Sequence, residues 1–233
     1  MISAASRFKL LNRGFKDTLL LIPGWGTDYR IFDSLKLDFN YLAPAEMLFS
    51  DFNGRLIESM AREKIDKISI LGWSLGAFLA ADFISAYPER AGGTILFVSA
   101  RQRYGKEELE IARKGILKNR EAYLYKFYNE CFSKTEGEAR RWFKRSLLKS
   151  YLDKMTTDTL IEGLDYLSRA QTYEENLERI PIKFIHGRED RIAPLAEALK
   201  LKEAIPQAKF SILDGAGHMP FLNSNFKDAV VNG

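Results

Sequence analysis

The 233-residue sequence has a single cysteine, Cys131, and two histidines, His186 and His218. One thiol excludes an intrachain disulfide and a cysteine-built metal centre. It fits a reducing compartment, and a cytoplasmic location is expected. Two histidines are a sparse supply for metal binding, and no zinc-ligand spacing surrounds them, so no metal or other cofactor is expected. Long apolar runs are missing as well, all falling far below the roughly 18–20 residues of a membrane span. The first apolar run, residues 19–22, leads straight into Pro23-Gly24 and lacks the longer stretch and cleavage site of a signal peptide. It reads as a buried strand. Charge of one sign is in short supply too: 35 Lys and Arg against 31 Asp and Glu leave +4, with a pI near 9.0. That permits an acidic partner without demanding one. With 46% hydrophobic and 28% charged residues, collagen-like, coiled-coil and disordered classes are excluded. The length suits one domain with an insertion, expected as a monomer.

What is present is an alternation of patterns. Strands are expected at 7–11, 17–22, 39–43, 67–71 and 94–98, with helices at 29–35, 53–64 and 75–87 between them. That order argues an α/β fold, a mostly parallel sheet with helices on both faces. From 101 to 179 the chain is charged and helical, with no convincing strand. The alternation resumes with a strand at 182–186, a helix at 195–205, a strand at 209–213 and a C-terminal helix at 221–230. The expectation is a core of residues 1–100 and 180–233, interrupted by a helical insertion, 101–179.

The strongest chemical signal is Gly72-Trp73-Ser74-Leu75-Gly76, between the strand at 67–71 and the helix at 75–87. That is the strand–turn–helix setting of a nucleophile elbow. A turn this tight excludes side chains two residues before and after the serine, and glycines stand there. The following helix N-terminus aims backbone N–H groups at developing negative charge. A serine needs a base to take its proton. His218 lies among glycines after the last strand, free to reach over the sheet edge, whereas His186 sits within a strand where packing is its expected role. The carboxylate that orients the base is expected from Asp190, in the loop after the strand at 182–186. Glu189 is its nearest rival, and Asp214 sits too close to His218 in sequence. The chain order Ser74, Asp190, His218 is the one this fold uses. The oxyanion hole is expected from the amides of Leu75 and Trp25. The Trp25 ring would then lie beside the acyl chain.

Together these motifs resemble the α/β-hydrolase superfamily over nearly the whole chain. Within it, Gly24-Trp25-Gly26, the Trp-Ser-Leu-Gly run at 73–76 and the segment Leu160-Ile161-Glu162-Gly163-Leu164-Asp165-Tyr166-Leu167 resemble the BioH-type pimeloyl-acyl-carrier-protein methyl ester carboxylesterases of biotin synthesis. One residue departs: Pro23 stands where that family usually has histidine. The resemblance implies ester hydrolysis through an acyl-enzyme on Ser74, with residues 101–179 as a cap. Phe127, Phe132, Trp142 and Phe143 are its candidate pocket aromatics. A thioesterase or small-ester hydrolase shares the triad, and a binding protein on the same scaffold is the alternative from another class.

The charge is unevenly placed. Residues 101–149 hold 14 Lys and Arg against 7 Asp and Glu, whereas 150–179 hold 3 against 7. The densest stretch is Arg140-Arg141-Trp142-Phe143-Lys144-Arg145, followed by Lys149. At helical spacing Arg141, Lys144 and Arg145 share a face. The resemblance implies that this face receives an acidic acyl-carrier protein. No nucleic-acid recognition motif accompanies the charge.

Overall fold

The computed structural model describes residues 7–46, 49–172, 177 and 180–232. Its sheet contains β1 (Phe8–Leu11), β2 (Thr18–Ile22), β3 (Asn40–Pro44), β4 (Ile68–Trp73), β5 (Ala91–Val98), β6 (Ile182–Gly187) and β7 (Lys209–Leu213). The spatial order is β1-β3-β2-β4-β5-β6-β7. β1 runs antiparallel to β3, and every other neighbouring pair is parallel. Parallel strands are covered on both faces, which is why the central ones are unbroken apolar runs. Every residue of β4 is buried.

α1 (Phe52–Arg62) precedes β4, and α2 (Leu75–Ala86) follows it. α2 is apolar nearly all round, with Ala77, Phe78, Leu79, Ala80, Ala81, Phe83 and Ile84 buried. Such a helix needs cover on every side. The sheet supplies one side, and the Tyr166 hydroxyl donates to Asp82 Oδ2 at 2.7 Å from another. Between β5 and β6 lie α3 (Lys106–Glu130), α4 (Gly137–Phe143), a π-helical stretch (Lys144–Leu148), α5 (Lys149–Lys154) and α6 (Thr157–Leu167). α3 bends at Asn119, whose backbone is extended at φ −160° and ψ 94°. Its side-chain oxygen accepts from Ala122 N at 2.9 Å and so caps the second half. The turn folds Tyr123 onto Gly115, where a Cβ would stand 2.3 Å from the ring. Residues 173–176 and 178–179 of the expected insertion lie outside the described residues. α7 (Leu195–Ala204) and α8 (Phe226–Asn232) complete the chain. Among the described residues no helix is long and apolar enough to cross a membrane.

Three element boundaries differ from the sequence pattern by more than two residues. The helix expected at 29–35 is only a 3-10 turn, Tyr29–Phe32. β5 starts at Ala91, because Gly93 at φ +69° and a register shift against β4 accommodate an irregular start. The last helix starts at Phe226, since Pro220–Leu222 forms a separate 3-10 turn and Asn223 is extended.

The topology sets where chemistry can sit. β2 and β4 are neighbours, but β2 leads outward to β3 and β4 leads the other way to β5. Loops part at such a switch point and leave a crevice at the carboxyl ends of the strands. The loops after β2, β4, β6 and β7 carry Trp25, Ser74, Asp190 and His218. The sheet beneath them depends on close packing at Ile70, which has no exposed surface and pairs with Leu20 and Ile95. Ile70→Ala is expected to cost about 2–5 kcal/mol, measured by denaturant unfolding.

Candidate active site

Ser74 lies between β4 and α2 with φ 55° and ψ −116°. A non-glycine residue rarely adopts that conformation. It is held by its own N–H, which donates to Val98 O at 2.9 Å, and by its carbonyl, which accepts from Ala77 N at 2.9 Å. The flanking glycines are required sterically. A Cβ on Gly72 would lie 2.5 Å from Gly76 O, and one on Gly76 would lie 2.2 Å from Ile22 O.

His218 Nε2 meets Ser74 Oγ at 2.9 Å, and its Nδ1 meets Asp190 Oδ2 at 2.7 Å. Asp190 Oδ1 accepts from Ile192 N at 2.9 Å and Ala193 N at 2.8 Å, so the carboxylate is fixed on both oxygens. All three side chains are buried. Burial pushes the Asp190 carboxyl upward, but the His218 charge, its hydrogen bond, His186 and the Ala193 amide outweigh this and hold it below the ordinary value. The rival carboxylates are elsewhere: Glu189 is exposed, and Asp214 pairs with Arg188 on the surface. His186 is buried, with Nε2 2.8 Å from Ala193 O and 3.6 Å from Asp190 Oδ2, as a packing residue beneath the carboxylate.

The His218 loop is fastened to the turn between α3 and α4. His218 N donates to Cys131 O at 2.8 Å, Ser133 Oγ to Gly215 O at 2.6 Å, and Gly217 N to Glu136 Oε2 at 3.0 Å. On the other side, Trp73 Nε1 donates to His218 O at 2.7 Å.

Leu75 opens α2, and Trp25 lies in the loop after β2. That loop is braced without the histidine that Pro23 replaces. Thr27 Oγ1 donates to Gly24 O at 2.9 Å, Tyr128 to Gly26 O at 2.5 Å, and the Trp25 indole N–H to Leu160 O at 2.9 Å. Gly163 of α6 leaves room for the indole, since a Cβ there would stand 2.7 Å from it. The other face of the ring closes edge-on with Phe127 at 4.9 Å.

Ser74 opens into a cavity of about 260 Å³ bounded by Trp25, Tyr104, Leu109, Phe127, Leu164 and Ile192, among others. Of the four aromatics expected to line it, only Phe127 does. Phe132 and Phe143 are buried against each other, and Phe143 packs further on Tyr128 and Tyr151. They form the interior of the helical segment. Trp142 instead faces a separate groove with Arg141, Arg145 and Asp214. Sequence reasoning missed Tyr104, whose Oη lies 3.5 Å from Ser74 Oγ. A lone tyrosine in a polar loop carries no pattern that would single it out.

The basic stretch also divides. Arg141, Lys144, Arg145 and Lys149 are exposed. Arg140 is not part of that surface: its guanidinium donates to Ser133 O at 2.7 Å and lies over the Phe132 ring. Among the described residues no cluster of three or more His, Cys, Asp or Glu is arranged to hold a metal ion.

A serine on a strained strand–helix turn at a sheet switch point, in line with a histidine and a buried carboxylate, defines a class. The family described as alpha/beta hydrolase fold matches residues 49–224, and this chain belongs to it. Among individual relatives, the pimeloyl-[acyl-carrier protein] methyl ester esterase of Nitrosomonas europaea is 28% identical over 72% of this chain and 71% of its own. A 2-hydroxy-6-oxononadienedioate/2-hydroxy-6-oxononatrienedioate hydrolase of Paraburkholderia phymatum is 26% identical over 89% of this chain and 71% of its own. In fold, an esterase from Exiguobacterium antarcticum superposes with a TM-score of 0.77 at 17% identity, covering 95% of this chain and 92% of the other.

The lowered carboxyl of Asp190 has a sign that acid titration checks. Its contribution to stability is complete above the unfolded value near 3.9 and is lost as pH falls through the lower folded value. Asp190→Asn is therefore expected to flatten the acid limb of a stability–pH curve, measured by urea unfolding at a series of pH values.

Proposed function

We propose that this protein is a serine carboxylesterase whose substrate is the methyl ester of a pimeloyl chain carried on acyl-carrier protein. The observation that carries the reading is the continuous chain from Asp190 through His218 to Ser74, at 2.7 and 2.9 Å, opening on an apolar cavity. Ser74 Oγ attacks the ester carbonyl while His218 Nε2 takes its proton. The Leu75 and Trp25 amides receive the oxyanion, each such donor being worth about 3–4 kcal/mol in comparable sites. His218 then protonates the departing alcohol. Water, activated by the same imidazole, cleaves the acyl-enzyme. Asp190 keeps the proton on Nδ1 and steadies the imidazolium.

The substrate assignment draws on the relatives that are named for this reaction and on the layout of the helical segment. That segment, residues 101–179, acts as a cap. The hydrocarbon chain lies against Leu109, Phe127 and Leu164. The carrier docks on the basic face of Arg141, Lys144, Arg145 and Lys149, which carries no carboxylate partner among the described residues and would attract an acidic partner. Lys144 reaches back over Tyr125 of α3, the helix that also supplies Tyr123, Lys126 and Phe127 to the cavity wall.

A fluorophosphonate probe is expected to label the wild type at Ser74 and to leave Ser74→Ala unlabelled, with ester turnover reduced at least about 10⁴-fold. Labelling that persists in Ser74→Ala would remove the serine assignment. The gene is expected to rescue a biotin auxotroph lacking its pimeloyl methyl esterase. Failure to rescue, alongside good turnover of p-nitrophenyl esters, would leave an esterase with another substrate. Charge reversal of Arg141, Lys144 and Arg145 to Glu is expected to lower kcat/KM about tenfold or more on carrier-bound ester and to leave small esters unchanged. Equal loss on both would refute docking at this face.

A further inference from the structure

The mechanism above leaves one polar group at the reacting serine without a task. Tyr104 Oη stands 3.5 Å from Ser74 Oγ, on the wall of the same cavity. The Ser74 proton is directed to His218 Nε2 at 2.9 Å, so in this pair the phenol is the donor. A separation of 3.5 Å is long for an O–H···O bond, which is usually about 2.5–3.0 Å. The phenol is therefore only weakly engaged and can turn its proton to an oxygen arriving beside Oγ.

Its position is fixed. The ring lies under the Arg101 guanidinium at 4.3 Å and against Phe78 at 6.0 Å. Arg101 is itself held by Arg103 O at 3.0 Å and Glu108 Oε1 at 2.8 Å. Burial pushes the phenol up to about 12, against the smaller lowering effects of Ser74 and Arg101. It is a neutral donor throughout the range in which an imidazole works as a base.

We propose that Tyr104 is a further catalytic residue, which donates a hydrogen bond to the alkoxy oxygen of the substrate as that oxygen leaves, and so selects oxygen esters over thioesters. The inference rests on the assignment of Ser74 as nucleophile. In the acylation step the bond from Oγ to the acyl carbon forms and the proton of Oγ passes to His218 Nε2. The bond from the acyl carbon to the alkoxy oxygen breaks, and His218 delivers that proton to the departing oxygen. Tyr104 retains its own proton and shares it with the oxygen while charge develops there. That oxygen is attached to the carbon that Oγ attacks, so it falls within reach of a donor standing this near Oγ. Sulfur is a weak acceptor. A thiolate is also a far better leaving group than an alkoxide, so a thioester gains little from the phenol.

The test compares kcat/KM of wild type and Tyr104→Phe on ethyl butyrate and S-ethyl thiobutyrate, which share one acyl chain. The variant keeps its ring under Arg101 and is expected to keep the wild-type thermal midpoint. The oxygen ester is expected to lose about tenfold, the worth of one neutral hydrogen bond in the transition state, and the thioester less than about twofold. Equal loss on both esters, or an unchanged oxygen ester, overturns the proposal. A merely structural role would move both substrates together. Failure of the underlying serine assignment is read separately, in the probe labelling of Ser74→Ala.

Discussion

The site depends on one steric constraint, the contact between the start of α2 and the carbonyl of Ile22. A Cβ at Gly76 would lie 2.2 Å from that oxygen, so the backbones of the elbow and of the loop after β2 touch directly. The same closeness places Ser74 at φ 55°, a conformation that costs on the order of 1–3 kcal/mol. The cost is met by the sheet. Ser74 N still donates to Val98 O, so the residue after β4 remains attached to β5 while its side chain turns out of the sheet. Direct backbone contact also brings the loop that carries Trp25 against the start of α2 at Leu75, although the two are distant in sequence.

A second consequence concerns the helical segment. It supplies more than a roof. The imidazole loop makes its backbone hydrogen bonds to the 131–136 turn, and the loop after β2 makes its side-chain bonds to Tyr128 and Leu160. Both loops of the site are thus anchored in helices α3 and α6 or the turn after α3. Gly187 and Gly217 complete this arrangement, because a Cβ on Gly187 would lie 2.1 Å from Gly217 O and one on Gly217 would lie 2.5 Å from Cys131 O. Any displacement of this turn moves the base with it. Pro23 is tolerated for the same reason: rigidity comes to that loop from the helices above and from Thr27, not from the residue at 23.

Much of this was legible from the residues. Ser74 follows a strand that is buried throughout, Asp190 and His218 follow strands of mixed pattern, and the glycines around all three mark turns that few other residues permit. The parallel order of the sheet follows from the same alternation. The residues that sequence misplaced all lie in the helical segment, on α4 or in the turn before it. An apolar aromatic in a helical segment reads the same whether it faces a cavity or a neighbouring helix, so Phe132 and Phe143 were indistinguishable from Phe127. Trp142 and Arg140 lie in α4 before the π-helical stretch, and their surroundings, the groove with Asp214 and the Ser133 carbonyl, are tertiary contacts that helical spacing does not carry. Tyr104 has no periodic signal at all. Its position is set by Arg101 and Phe78, contacts that arise only when the loop after β5 has folded.

The net charge takes on a different meaning once pairs are assigned. The surplus of basic residues in 101–149 is partly spent at home. Arg101 is paired with Glu108, Arg113 with Asp165 and Lys126 with Glu130, while Arg120 and Arg140 donate to backbone carbonyls. The acidic excess of 150–179 is in part the counterpart of these cations, as the Arg113–Asp165 bridge shows. Paired charges cast little field beyond a Debye length of about 8–10 Å, whereas unpaired ones of like sign add. What reaches solvent is then governed by the exposed cations without a carboxylate partner among the described residues, Arg141, Lys144, Arg145 and Lys149 on α4, the π-helical stretch and α5 together with Arg103, Lys106, Lys118 and Lys134, not by the sum of the segment. The strength of the field follows from which cations the fold leaves without a carboxylate, a property that no residue count contains.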